Sequence, residues 1–283
     1  VLTYPNCGEA FIDLFKCNGI RTYYYGMDLH FVRNRMEYQL TGNLEKKELS
    51  EKFYKMEKRL IEMADLSYYP SIKEVQTVQN EFGVANVKYL IPFFYERAKE
   101  ASDYYPDKRE GIFFIGGYGH PPNADAVLWF VKEIYPLIYE KAHIKFYIAG
   151  SNEPKELQDL EIPGLIHLGF LSEKELAAWY QKIRMVVIPL RFGAGVKGKT
   201  LEALYHNIPM VSTSIGIEGI SEAEQYIVHT DDAQEFARQV LDLYDDEAKL
   251  LDMSKAYQGL IQKHYSKEAA WDNIKNDFLE AER

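Results

Sequence analysis

Two lysines, Lys197 and Lys199, flank Gly198 in the stretch Pro189–Leu204, a loop that also carries Gly193 and Gly195 and leads to a carboxylate, Glu202. Glycine lacks a Cβ, so a backbone built from it can turn with φ > 0 and bring its amides up to a bulky anion. Lysine ammoniums are mobile point charges that can serve two phosphates. A helix opening at Thr200 adds the partial positive charge of its free N-terminal amides. Glu202, in that helix's first turn, can cap amides or accept two hydroxyl protons from a ribose. Together these groups suit a diphosphate with a sugar hydroxyl beside it. The same residues also describe an ordinary loop with solvated lysines and a Glu matched to the helix dipole.

A second constellation is the loop Gly26–Arg33, with Asp28, His30 and Arg33 within six residues. His30 can contact a sugar or handle a hydroxyl proton. Equally, Asp28 and Arg33 can form a local ion pair with His30 as a filler, and the sequence does not choose between these readings.

The elements that must position these groups alternate short apolar runs with amphipathic helices, as in a parallel α/β sheet. Strands are expected at Arg21–Tyr25, Ser67–Tyr69 and Val87–Ile91, then at Gly111–Gly117, His143–Ala149, Leu165–Leu168, Met185–Ile188, Met210–Thr213 and Tyr226–His229. Capping boxes at Ser71–Glu74 and Ser172–Glu175 open two helices. Val127, Val131, Ile134 and Ile138 share one helical face. The charged helix Leu44–Met63 reads as a solvated face. The polar segment 95–110 reads as a linker. In a doubly wound unit the loops after the strands share one rim, so Gly116-Gly117, Gly150-Ser151, His167–Phe170, Pro189–Lys199 and Ser214–Gly219 should converge.

A net charge of −10 argues against a nucleic-acid partner. The two cysteines, Cys7 and Cys17, form no dense framework and suggest a reducing, cytoplasmic setting. No apolar run is long enough to span a bilayer. The chain opens at Val1 rather than Met, which raises the expectation of a fragment.

Gly111–Gly219 resembles the donor-binding half of the group 1 (family 4) retaining glycosyltransferases, which have the GT-B fold. The resemblance rests on the strand Gly111–Gly117, the Ile148-Ala149-Gly150 strand end, the Leu168-Gly169-Phe170 turn, the Pro189–Leu204 motif and the loop Ser214–Gly219. More weakly, Tyr89–Pro92 resembles the interdomain hinge and Tyr265-Ser266 the start of a final helix that crosses back. The resemblance implies two Rossmann-like domains: a truncated first domain over 1–94, the linker 95–110, a doubly wound nucleotide-sugar domain over 111–265 and the crossing helix over 266–283.

It implies transfer of a sugar from a nucleotide diphosphate to a glycan or lipid-linked acceptor with retention. Work at the inner membrane face is left open, and no metal or other cofactor is implied. The base would stack near His167–Phe170, the ribose would meet Glu202, and the diphosphate would meet Gly117, Gly193, Gly195, Lys197, Lys199 and the Thr200 helix. Glu218 would reach donor or acceptor, while Asp28, His30 and Lys197 would carry the chemistry. Two departures stand out. Ala194 occupies the place of the first carboxylate of the family's glutamate pair, and Tyr118-Gly119-His120 occupies the place of an expected cation, which leaves His120, when charged, as its substitute. A donor-binding or scaffolding remnant and a nucleotide-sugar epimerase on the same fold are the alternatives.

Overall fold

The computed structural model describes residues 1–279; residues 280–283, the end of the expected segment 266–283, lie outside the described residues. Four parallel strands form the first sheet in the order β1 (Leu2–Thr3), β2 (Tyr23–Tyr25), β3 (Leu66–Tyr69) and β4 (Val87–Tyr89). At two residues, β1 is too short for its alternation to register in a sequence pattern. Tyr24 and Tyr69 turn inward and pack with Ile12, Leu60, Ile61 and Val78.

The segment expected to be a loop as far as Arg33 becomes a helix at His30, which runs to Thr41. Its N-cap residue, Leu29, offers no side-chain acceptor. The cap comes instead from Glu57, whose carboxylate accepts the His30 amide at 3.0 Å and the Phe31 amide at 3.1 Å. A cap supplied from another helix leaves no local signature. It also corrects the reading of Leu44–Met63 as a solvated face, because Glu57 is fully buried within it. The Ser71 cap is only half a box. Ser71 Oγ accepts the Glu74 amide at 3.1 Å, but the Glu74 carboxylate accepts the Ser71 hydroxyl at 2.9 Å and the Leu29 amide at 3.2 Å. The box at Ser172–Glu175 is complete.

The second sheet comprises β5 (Glu110–Ile115), β6 (Phe146–Ala149), β7 (Leu165–Gly169), β8 (Ile183–Ile188), β9 (Met210–Ser212) and β10 (Val228–His229). Its strands are parallel in the order β10-β9-β8-β5-β6-β7. Every residue of β8 is buried, because helices cover both faces of the sheet. Val127, Val131, Ile134 and Ile138 all face that core. Strand order reverses between β5 and β8, and the crevice beyond their carboxyl ends is where such sheets hold ligands.

Two chain segments bind the sheets together. Tyr95 donates its amide to the Tyr265 carbonyl at 2.7 Å and stacks on Tyr205 with ring centroids 4.0 Å apart. The helix Lys267–Leu279 then returns to the first sheet. There Asp277 accepts the Tyr68 hydroxyl at 2.9 Å and pairs with Lys88, while the Asn273 side chain accepts the Ile91 amide at 3.3 Å. Among the described residues no helix is long and apolar enough to cross a membrane.

Gly150 closes β6 against β5, and a Cβ there would lie 1.9 Å from the Gly116 carbonyl oxygen. Gly150→Ala should therefore lower stability by about 2 kcal/mol or more. Urea denaturation reads this directly, and an unchanged midpoint would contradict the close approach.

Candidate functional site

The carboxyl ends of both sheets open on one cleft of about 280 Å³. From the first sheet, the ends of β1 and β2 bring Tyr4, Met27, Asp28, His30 and Arg33 to it; from the second come His120, Asn123, Phe192, Gly193, Lys197 and Lys199. The second group follows β5 and β8, the two strands that flank the reversal in strand order.

The loop after β8 can lie this close to the first sheet only because of glycine. Gly195 has φ +73°, and a Cβ on it would sit 3.0 Å from both the Asp28 Cβ and the Met27 carbonyl oxygen. Lys197 is buried and donates to the Gly195 carbonyl at 2.5 Å. Burial pulls its pKa down, against the opposing charges of Glu218, Glu74 and Asp28. Lys199 lies 2.5 Å from the Asn123 side-chain oxygen, with its ammonium 4.2 Å from the centre of the Phe114 ring. Burial, and then the neighbouring Lys197 charge, pull Lys199 down to about 7. Neither ammonium forms a salt bridge among the described residues.

The opposite wall is a bonded charge cluster. His30 Nδ1 is 2.8 Å from Asp28 Oδ1 and 3.5 Å from Glu57 Oε1, and Arg33 pairs with the other Asp28 oxygen. The ion pair and the histidine contact thus coexist on one carboxylate. Burial pushes Asp28 up, but the His30 hydrogen bond and the charges of Arg33, His30 and His120 hold it below its usual range. Burial alone would lower His30; its hydrogen bonds to Asp28 and Glu57 and the Asp28 charge outweigh that and raise it to about 9. His30 is therefore an imidazolium at neutral pH. Glu74, buried behind this wall, is pushed up to about 8 by desolvation, with Asp28 adding to the rise. At the mouth, Tyr4 holds a backbone of φ 60°, ψ 133°, a conformation that costs a non-glycine residue about 1–3 kcal/mol.

Of the residues singled out in the sequence, Asp28, His30, Gly193, Lys197 and Lys199 line the cleft, and Gly195 supports it from behind. Gly117, Thr200, Glu202, His167 and Glu218 are not in its lining. The Gly117 carbonyl is taken by the Asn123 amide at 2.8 Å. The helix begins at Gly198, so the Thr200 amide is already bonded to the Lys197 carbonyl and its hydroxyl to the Gly216 carbonyl at 2.7 Å. Glu202 is raised by burial, with Lys99 and Glu173 as the charges acting on it. His167 Nδ1 meets Glu153 at 2.5 Å. Glu218 bridges to Lys73 of the first domain at 2.5 Å, beside Lys197. His120 does not replace the missing cation, because burial and the Arg33 charge lower it to about 4.

Asn123, Tyr4 and Glu57 escaped the sequence reading, and Glu74 entered it only as part of a helix cap. Asn123 alone had a signal: it follows Pro121-Pro122 at the start of the helix after a strand and a glycine pair.

Residues 109–246 match the family model for glycosyl transferases group 1. That match falls on the second sheet and the helices around it. A protein of Klebsiella pneumoniae, an uncharacterized 44.6 kDa protein in the cps region, is 27% identical over 173 residues, which are 58% of this chain and 44% of that protein. The chain thus matches under half the length of that relative. The sucrose-phosphate synthase of Thermosynechococcus elongatus superposes over 99% of this chain and 72% of its own, with TM-score 0.75 and 14% identity. Staphylococcus aureus TarM, in complex with fondaparinux, alpha-GlcNAc-glycerol and UDP, superposes over 95% of this chain and 53% of its own, with TM-score 0.71 and 17% identity. These likenesses show the fold, GT-B, with two parallel sheets facing one cleft.

The raised His30 value means that protonation favours the folded state. That stabilisation is fully present below pH ~6.5 and is lost as pH rises through about 9. NMR of the ring carbons should give a midpoint near 9 in the unaltered chain and one displaced toward 6.5 in Asp28→Asn. An ordinary histidine midpoint in the unaltered chain would contradict the cluster.

Proposed function

We propose that the cleft binds a nucleotide-diphosphate sugar and transfers its sugar to a glycan or lipid-linked acceptor with the anomeric configuration kept. The observation that carries this reading is Lys199: an ammonium facing the cleft whose partners are an amide oxygen and an aromatic ring, with Lys197 beside it. Two cations at the carboxyl ends of β5 and β8 call for an anion of more than one charge. The UDP in the TarM complex supports a diphosphate as that anion.

A developing diphosphate charge is stabilised by cations already oriented before the reaction. Lys197 and Lys199 face the leaving group, while the amides of Gly198 and Lys199 open the helix toward it. Domain approach through Gly195 excludes water and protects the donor from hydrolysis. His30, already protonated, cannot accept the acceptor's proton, and Asp28 is engaged by His30 and Arg33. That favours front-face attack. The acceptor oxygen bonds to the anomeric carbon as the carbon–phosphate oxygen bond breaks, and the acceptor proton passes to the departing phosphate oxygen. The cps-region relative fits a bacterial surface polysaccharide as the acceptor.

Calorimetry with UDP tests the site. Lys199→Met and Lys197→Met should each weaken UDP by about tenfold or more, the worth of a charge-assisted contact. Undiminished affinity in both variants would refute the donor site. The stereochemistry is read by proton NMR of the product formed from a UDP-sugar: a retained anomer supports front-face transfer and an inverted one excludes it.

A further inference from the structure

We infer that Glu74 is a positioning residue for the donor site: one buried carboxyl group ties together the two pieces of the first domain against which the loops around Lys197 rest. The inference deepens the sugar-transfer reading above and rests on it for the ligand. Glu74 lies in the helix Ile72–Phe82 and is only 4% exposed. Its two oxygens serve different segments. Oε2 accepts the Ser71 hydroxyl at 2.9 Å, and Oε1 accepts the Leu29 amide at 3.2 Å. In a complete capping box the carboxylate would turn back to the amide of its own N-cap residue. Here it reaches a distant segment instead, which separates a tie from a cap.

Both tied segments are contact points for the second domain. Leu29 follows Met27 and Asp28, the residues that a Cβ on Gly195 would meet at 3.0 Å. Ser71 is the residue whose Cβ a Cβ on Gly219 would meet at 2.7 Å. The two glycines lead directly to the buried lysine. The Gly195 carbonyl accepts the Lys197 ammonium at 2.5 Å, and a Cβ on Gly219 would stand 3.1 Å from Cγ2 of Val196, the residue before Lys197. Glu74 thus connects to Lys197 along two routes, one through Leu29, Asp28 and Gly195, the other through Ser71, Gly219 and Val196. A planar carboxyl with two acceptors at a fixed separation holds the two segments in register. Its charge also acts on Lys197, so the test must separate the tie from the charge.

The test compares Glu74→Gln, Glu74→Asp and Glu74→Ala with the parent chain, each well below its melting temperature. The Gln oxygen accepts the Leu29 amide and its nitrogen donates to Ser71 Oγ, so the tie survives without the charge. Asp keeps the charge but is one methylene too short to span both partners. The first readout is amide hydrogen exchange by mass spectrometry on the ligand-free chain. Asp and Ala should speed exchange by about tenfold or more at 26–29. They should do the same at 193–198 and 216–219, segments with no hydrogen bond to Glu74 among the described residues. Gln should stay within about twofold of the parent. The second readout is UDP affinity by calorimetry, expected to fall about fivefold or more in Asp and Ala and to stay within about twofold in Gln. Unchanged exchange in the second-domain segments of Asp and Ala would overturn the tie. So would a Gln variant as impaired as Ala, which assigns the effect to charge. If Ala does not fold, Asp carries the same comparison. Absence of UDP binding by the parent chain counts against the donor site, and the exchange readout still decides the tie.

Discussion

The structure turns on holding two ammonium groups close together at the point where the order of the second sheet reverses. Ammoniums taken out of water lose hydration that only opposing charge, hydrogen bonds or a bound anion restores. Lys197 is compensated by a carbonyl and by three carboxylates acting at longer range, two of them from the first domain. Lys199 has an amide oxygen and a ring face. The two cations therefore sit in unequal surroundings, with the less compensated one closer to the turn after β5.

Approach of the two domains is part of the same arrangement. Gly195 lies against Met27 and Asp28, and Gly219 lies against Ser71, where a Cβ would stand 2.7 Å from the Ser71 Cβ. The Lys73–Glu218 bridge crosses beside the second contact. Both contacts lie near Lys197, and two of the acidic groups acting on its charge, Glu74 and Asp28, come from the first sheet's side. The cluster of Asp28, His30, Arg33 and Glu57 then forms a wall whose internal charges are largely paired. The cleft is left polarised, cationic on the side of the second sheet and internally neutralised on the side of the first.

Much of the second domain was legible in the sequence because its strands are short continuous apolar runs between glycine and polar turns, as at Met185–Ile188. The rim followed from the rule that ligands lie beyond the carboxyl ends of strands. What was hidden depended on distance along the chain. Glu57 caps a helix that starts 27 positions before it, and nothing around His30 announces such a partner. Glu74 sits in a recognisable cap, but its second bond goes to Leu29. Tyr4 follows a two-residue strand, too short for any pattern. Thr200 and Glu202 were read from a helix placed two residues late: starting it at Gly198 turns the Thr200 donors inward and moves Glu202 out of the cleft lining.

The most direct measurement of the central claim is the titration of Lys199 itself, followed through its labelled Cε by NMR, free and saturated with UDP. A midpoint near 7 is expected in the free chain, set by burial and by Lys197, with a rise of more than one unit once a diphosphate lies beside it. A midpoint at the ordinary lysine value of about 10.4, unmoved by UDP, would contradict it.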